Sequence, residues 1–374
     1  MLFDHTHYVA NVRWKQAEKE SLQWLGKREK RQLTALIELI PRNFRTKDGK
    51  DLPIRDSLRR IASDLDRYWG STPAFIDLAH VVEAGICGAG NDPHVFELLA
   101  EETRRAFPLL PRESSLIPVT GLSRGEDYEA AIASIVEEDQ MGACIRVTLD
   151  DLSKTTFSAK LEAVLSRLMI DVPDVDLVID LQCLNGAAPN LQDVSAAIPQ
   201  LSKWHSYTIL AGAFPKDLQE IEKDSVDTLP RDEWFYWREQ VQLLPKGMRW
   251  PTFGDYTVQH AIYKEPKKNC NPSASIRYTF DDYWVIMRGH GLTHKGSLGN
   301  VQYTAEAQLL CEMDEFCDAQ FSEGDRYIYE ASKNPNEPGT PFTWLRAGIN
   351  HHMVYALRQI AAFVKTASTT ASVP

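Results

Sequence analysis

No stretch of the 374-residue chain approaches the ~20 consecutive apolar residues a membrane-spanning helix needs, so a soluble protein is expected. Its first residues, Met-Leu-Phe-Asp-His-Thr-His, lack a basic segment followed by an apolar one, and a cytoplasmic location is the default. The six cysteines (Cys87, Cys144, Cys183, Cys270, Cys311 and Cys317) form no Cys-x-x-Cys pair, which argues against both a disulfide framework and a zinc module. Reduced thiols are the simpler expectation. Also missing are Gly-x-x-x-x-Gly-Lys-Ser/Thr, His-Glu-x-x-His, Gly-x-Ser-x-Gly and an EF-hand loop, so P-loop ATPase, zincin and hydrolase-elbow chemistries fall away. No metal ligand set and no cofactor can be named from the residues. Positive charge is in short supply: 41 lysines and arginines face 52 aspartates and glutamates, a formal net charge of −11. That field repels phosphate backbones and anionic membranes, and it disfavours bulk nucleic-acid binding. Two local basic clusters, Lys27 to Arg31 and Lys264 to Lys268, read most simply as solvated faces or loops.

What is present is a cadence. Short aliphatic or β-branched runs alternate with longer charged amphipathic stretches, the pattern of repeated βα units and a parallel sheet. Eight runs qualify as strands: Tyr8–Lys15, Thr34–Pro41, Ala74–His80, Ser115–Leu122, Ala143–Leu149, Val175–Gln182, Tyr207–Phe214 and Trp250–Thr257. Between them lie helix-like segments at Gln16–Lys30, Ile54–Tyr68, Pro93–Phe107, Glu126–Gln140, Ser158–Met169, Leu191–Trp204 and Arg231–Leu243. Eight units predict an α/β fold of the (βα)8, TIM-type barrel class. The competing open doubly wound sheet would show a Gly-rich first turn, but Trp14-Lys15-Gln16-Ala17-Glu18 stands there. Barrels run to roughly 250 residues, so something is appended. The division reads as residues 1–263 for the barrel and 264–374 for a C-terminal elaboration over its mouth, within one structural domain. That elaboration shows strand-like Ser275–Thr279 and Tyr283–Met287, helix-like Thr304–Phe321, a helical end from about Trp344 to Lys365, and a polar tail, Ser368–Pro374, expected to be disordered.

Several short motifs run from one end of the chain to the other: Tyr8 with Trp14-Lys15-x-x-Glu18, Leu36-Ile37-Glu38 with Pro41, and Phe253-Gly254-Asp255-Tyr256. Further along come Ile276-Arg277-Tyr278-Thr279 with Trp284 and Arg288-Gly289, Phe321-Ser322-x-Gly324-Asp325, and Asn350-His351-His352. By these the chain resembles the beta family proteins, named after a bacteriophage beta protein and found in phages, prophages and bacterial genomic islands. One departure is that Leu345 separates Trp344 from Arg346, where the family pattern puts tryptophan and arginine side by side. The resemblance implies a phage- or mobile-element-linked protein with a part in phage–host conflict, and it brings no settled activity or catalytic set.

In a barrel, ligands meet the C-terminal ends of the strands, so polar residues at those ends are the candidates. Lys15, Glu38, Asp77, Arg146, Asp180 and Asp255 fall there, and by alternation Arg13 with Lys15 and Asp180 with Gln182 share a face. Carboxylates beside cations can transfer protons, hold a divalent metal or clamp a phosphate. Equally, they can form a paired network that fixes the barrel's register. Lys15, Glu38, Asp77, Asp180 and His351 are the catalytic candidates; Arg146, Asp255, Tyr256, Arg277 and Arg288 are the ligand-binding ones. For His351 a packed helix residue competes with the catalytic role, and neighbouring His352 diverges by about 100° on a helix, so the pair is unsuited to one metal. His290 and His294 flank a Gly289–Gly291 stretch that reads most simply as turn chemistry. Arg277 and Arg288 carry forks that grip carboxylate or phosphate, though exposed arginines are commonly only surface charge. The run Trp234-Phe235-Tyr236-Trp237 reads as core packing with one adhesive face, a candidate homo-oligomer contact.

The expected function is binding of a small phosphorylated or nucleotide-type ligand at the barrel mouth under a lid bearing Arg288 and His351. The alternative is a non-catalytic protein-interaction scaffold of an anti-phage or prophage system, whose partner is another protein.

Overall fold

A computed structural model describes residues 3–86, 94–106, 116–184, 188–265, 271–293 and 296–370. Cys87, Cys270, His294 and the far ends of the predicted segments Pro93–Phe107 and Ser115–Leu122 lie outside them. Eight parallel strands close into a barrel: β1 (Tyr8–Arg13), β2 (Leu33–Glu38), β3 (Ala74–Asp77), β4 (Leu116–Thr120), β5 (Ala143–Thr148), β6 (Val175–Cys183), β7 (Ser206–Gly212) and, after β8 (Ser225–Pro230), β9 (Thr252–Asp255). β9 pairs with both β7 and β1 and so shuts the ring. The predicted (βα)8 barrel is the observed fold.

Alternation along each strand sorts side chains into two cores. Val9, Leu36, Phe75, Val119, Cys144, Val178, Leu210 and Tyr256 fill the barrel interior. Their neighbours Tyr8, Val12, Ile37, Ile76, Ile145, Ile179 and Phe253 face outward into the layer covered by helices. The helix Ile54–Tyr68 shows how the outer layer is built: Leu58, Ile61, Ala62, Leu65 and Tyr68 recur at helical spacing and are all buried. Gly254 sits where the interior is tightest, because a Cβ there would come within 3.1 Å of both Thr208 Cγ2 and the Val9 carbonyl oxygen.

The appended part is woven into the last two βα connections. β8 leaves between β7 and the helix Asp232–Leu243, while β10 (Ser273–Phe280) and β11 (Tyr283–Gly291) leave between β9 and the C-terminal helix. The three form an antiparallel sheet in the order β10-β11-β8. One face (Ala274, Ile276, Tyr278, Val285, Met287) packs with residues of the helices Gln302–Glu312 and Glu323–Lys333. From the other face, Trp284 and Ile286 join the barrel's outer core. The C-terminal helix, Pro341–Thr370, is about 45 Å long at 1.5 Å per residue. Its first half covers β10, and its second half sends Met353, Leu357 and Ile360 into the barrel's outer core as the eighth barrel helix. No helix among the described residues is long and apolar enough to cross a membrane.

Some predicted boundaries move for identifiable reasons. The segment Gln16–Lys30 is two helices, Gln16–Gln23 and Lys27–Gln32, because Gly26 between them is extended. The predicted helix Leu191–Trp204 stops at Ala196, three residues before Pro199, which cannot continue it. Thr304–Phe321 stops at Glu312, where Met313 turns extended. A further helix, Glu323–Lys333, begins where Ser322 Oγ accepts from the Asp325 amide, so the Phe321-Ser322-x-Gly324-Asp325 motif is a helix cap. In the polar tail expected to be disordered, residues 368–370 continue the C-terminal helix, and 371–374 lie outside the described residues. Of the aromatic run, Trp234, Tyr236 and Trp237 are buried core residues, and only Phe235 is exposed.

Replacing Gly254 with valine should lower stability by about 1–3 kcal/mol, the ordinary range for overpacking a closed interior. Urea unfolding checks it, and a variant as stable as the parent would show that the interior is looser than these distances imply.

Candidate functional site

The top inward layer of the barrel is charged. Register places Arg13 level with Glu38 and Glu38 level with Asp77, while two strands further on Arg146 and Asp180 point into the same space. Arg146 is the hub. Its Nη1 donates to Glu38 Oε1 (2.8 Å) and Asp77 Oδ2 (3.0 Å), its Nε donates to Asp180 Oδ2 (3.0 Å), and its Nη2 donates to Tyr256 Oη (2.9 Å). Tyr256 Oη donates in turn to Asp180 Oδ1 at 2.7 Å. One guanidinium therefore ties together residues from β2, β3, β5 and β6 and from the end of β9.

A second ring of cations stands around the hub. Arg124, just beyond β4, donates to Asp77 Oδ2 at 3.1 Å. His80 Nε2 lies 3.7 Å from Glu38 Oε2, and Arg13 Nε lies 3.5 Å from the same oxygen. Arg13 is itself anchored by donation to the carbonyls of His260 (2.8 Å) and Ala261 (2.6 Å), in the segment that follows β9. Glu38 Oε2 is buried and accepts no hydrogen bond from the described residues.

The charges are mutually consistent. Burial would push the Glu38 carboxyl up, but Arg146, His80 and Arg13 outweigh it and hold the group well below the usual carboxylate range. Burial opposes the His80 cation, yet Glu38, with help from Asp77 and Glu83, lifts the imidazole above its ordinary value. For Arg146 burial is overcome by Tyr256, Asp180, Glu38 and Asp77, and the guanidinium stays charged.

These groups form the floor of a solvent-reached cleft of about 460 Å³, walled by Ser123, Arg124, Thr148, Gln182 and Tyr263 among others. Where β6 reaches this wall its pairing with β7 slips between Asp180 and Gln182. Gln182 there takes a left-handed backbone (φ +54°), with its amide donating to Asp180 Oδ1 at 2.9 Å. A bulge and an unfavourable backbone at the rim of a barrel mark a place where a side chain has been re-aimed.

Of the residues singled out from sequence, Glu38, Asp77, Arg146, Asp180 and Tyr256 converge here. Lys15 lies at the edge, its Nζ 5.3 Å over the Tyr263 ring; burial lowers its pKa, with Glu18 pulling the other way. Asp255 does not reach the mouth: it points outward, accepting from Tyr8 Oη (2.5 Å) and pairing with His352 Nε2 (2.8 Å), because alternation gives the inward position to Tyr256. His351 is fully buried between Asp325 Oδ2 (2.9 Å) and the Thr279 carbonyl (2.7 Å), with its ring stacked on Tyr278. It lines neither the cleft nor a lid. Arg277 and Arg288 lie in the appended sheet beside a different cleft. Arg13, Arg124 and His80 belong to the site and were not among the candidates. Arg124 follows the end of β4 by four residues, where a scan restricted to the strands overlooks it; His80 closes the predicted run Ala74–His80, in which Asp77 is the candidate singled out.

Two outcomes are expected. Arg146→Met leaves three carboxylates around a neutral side chain and should cost about 3–5 kcal/mol near neutral pH, with the gap narrowing in acid as Glu38, which Arg146 keeps below its usual pKa, takes up a proton in the variant; urea unfolding at two pH values checks it. Because folding raises the His80 pKa, its contribution is fully present below about pH 6.5 and fades as pH rises through the raised value. The melting-temperature difference between the parent and His80→Gln should therefore shrink on going alkaline, and a constant difference from pH 5 to 9 would contradict this.

The chain belongs to the Beta protein family, whose profile matches residues 8–358, nearly its whole length. No curated protein matches it.

Proposed function

We propose that the protein binds a small phosphorylated or nucleotide-type ligand in the cleft at the C-terminal face of its barrel, and that it is a phage- or mobile-element-associated protein acting in phage–host conflict. The family membership supports the phage association. One observation carries the ligand reading. Arg124 and His80 both line a solvent-reached cleft over the carboxylate floor, Arg124 pairing with Asp77 and His80 lying between Glu38 and Glu83. A phosphoryl group fits against those two cations. Glu38, Asp77 and Asp180 are hydrogen-bonded around Arg146, so their part is to fix the floor and orient what binds on it. Lys15 at the edge adds a third cation.

A second reading is favoured by a different observation. All three nitrogens of Arg146 are engaged inside the protein, as expected of a structural network that sets register in a non-catalytic interaction scaffold.

Thermal melts distinguish the two. Nucleoside monophosphates should raise the melting temperature in a concentration-dependent way, as a ligand at 100 times its Kd stabilises by about 2.7 kcal/mol. Arg124→Gln, which leaves the Arg146 hub intact, should abolish the shift. No shift with any phosphorylated compound, or an undiminished one in the variant, would leave the scaffold reading standing.

A further inference from the structure

A second cleft, of about 720 Å³, opens between the barrel-facing side of the three-stranded sheet, the chain leaving β7, and the first turns of the C-terminal helix. Its charged lining is Lys216, Lys223, Arg277 and Arg288 against a single carboxylate, Asp217. That balance is the reverse of the chain's net −11 and of the acidic mouth.

The two arginines share a face. Arg288 pairs across the sheet with Ser275, two residues from Arg277, so both guanidiniums project on the side that carries Trp284 and Ile286 to the barrel. Arg277 lies 4.7 Å over the Phe214 ring, and its Nη1 donates to the Val258 carbonyl at 2.8 Å. Arg288 donates to the carbonyls of Gln219 (3.1 Å) and Ile221, pinning the loop that bears both lysines, and its buried Nε has no partner. None of the four cations makes an ion pair with a carboxylate among the described residues. Burial pushes the Arg277 pKa down to about 10, with only Tyr303 and Glu18 pulling against it. A half-buried guanidinium with no carboxylate in ion-pair contact is unfavourable, and an anion in the cleft would offset that. Extended nucleic acid is the wrong occupant, because the field of the rest of the chain repels a long polyanion.

We propose that this cleft is an anion site for a small ligand bearing two or more phosphoryl groups, held by Arg277 and Arg288 from the sheet and by Lys216 and Lys223 from the loop. It stands independently of the mouth. The segment after β9 divides the two, turning the Val258 carbonyl to Arg277 and the carbonyls of His260 and Ala261 to Arg13.

The test is calorimetric titration of the full chain with tripolyphosphate. Saturable binding is expected, weakened roughly tenfold or more in Lys216→Gln/Lys223→Gln and in Arg288→Gln, and unchanged in Arg124→Gln at the mouth. The two lysines are exposed, so the double variant should melt like the parent, which separates lost binding from lost fold. Absence of saturable binding, equal affinity in the lysine variant, or loss caused by Arg124→Gln alone would overturn the proposal. So would an oligonucleotide binding more tightly than tripolyphosphate.

Discussion

A charge removed from water must find a partner, and in this barrel that constraint is met at one side chain. Arg146 projects from β5 into an interior filled largely by apolar side chains, and three carboxylates from other strands and a tyrosine just past β9 close on it. Two of the carboxylates are fixed by nearby backbone as well: the Ala79 amide donates to Asp77 and the Gln182 amide to Asp180. The floor of the mouth is therefore rigid before anything binds, and whatever chemistry occurs above it does so against a preorganised field. Because the hub is saturated, the proposed recognition of a ligand falls to the outer ring, where Arg124 and His80 line the cleft.

The C-terminal part reuses the same rule outside the barrel. Asp255, facing away from the mouth, is held by Tyr8 and His352, and His352 Nδ1 meets Thr279 of the appended sheet at 2.8 Å. One turn of helix therefore ties β1, β9 and β10 together. The adjacent His351 does the equivalent for Asp325, at the start of the helix that Ser322 caps. Arg346 reaches back to Glu20 and lies 4.0 Å over the Trp24 ring. These contacts make the C-terminal helix at once the eighth helix of the barrel and the mast on which the extra sheet is hung. The buried histidine pair thus joins layers of the fold.

Much of the barrel was legible because parallel strands buried on both faces read as dense aliphatic runs, and all eight were found within a few residues of their ends. The charged floor was legible for the same reason: an ionisable residue inside such a run stands out, as Glu38, Asp77, Arg146 and Asp180 do. What escaped detection depended on direction or distance. Asp255 and Tyr256 are neighbours, and composition could not say which faced inward. His80 sits in the short helix Ala79–Glu83 and Arg124 in a turn after β4, both too short for a periodicity to be read. β8 (Ser225–Pro230), largely exposed, lacked the alternation that would mark a strand and is defined only by its partner β11. The second cleft joins loop lysines to sheet arginines more than fifty residues away, a juxtaposition that only the closed fold creates.

The most direct measurement is a crystal structure of the protein grown with a saturating nucleoside monophosphate. Density for the phosphoryl group within hydrogen-bonding distance of Arg124 and His80, over an Arg146 still bound to Glu38, Asp77 and Asp180, is the predicted result. A mouth without ligand density at saturation, or an Arg146 swung out of its carboxylate ring to meet the ligand, would contradict it.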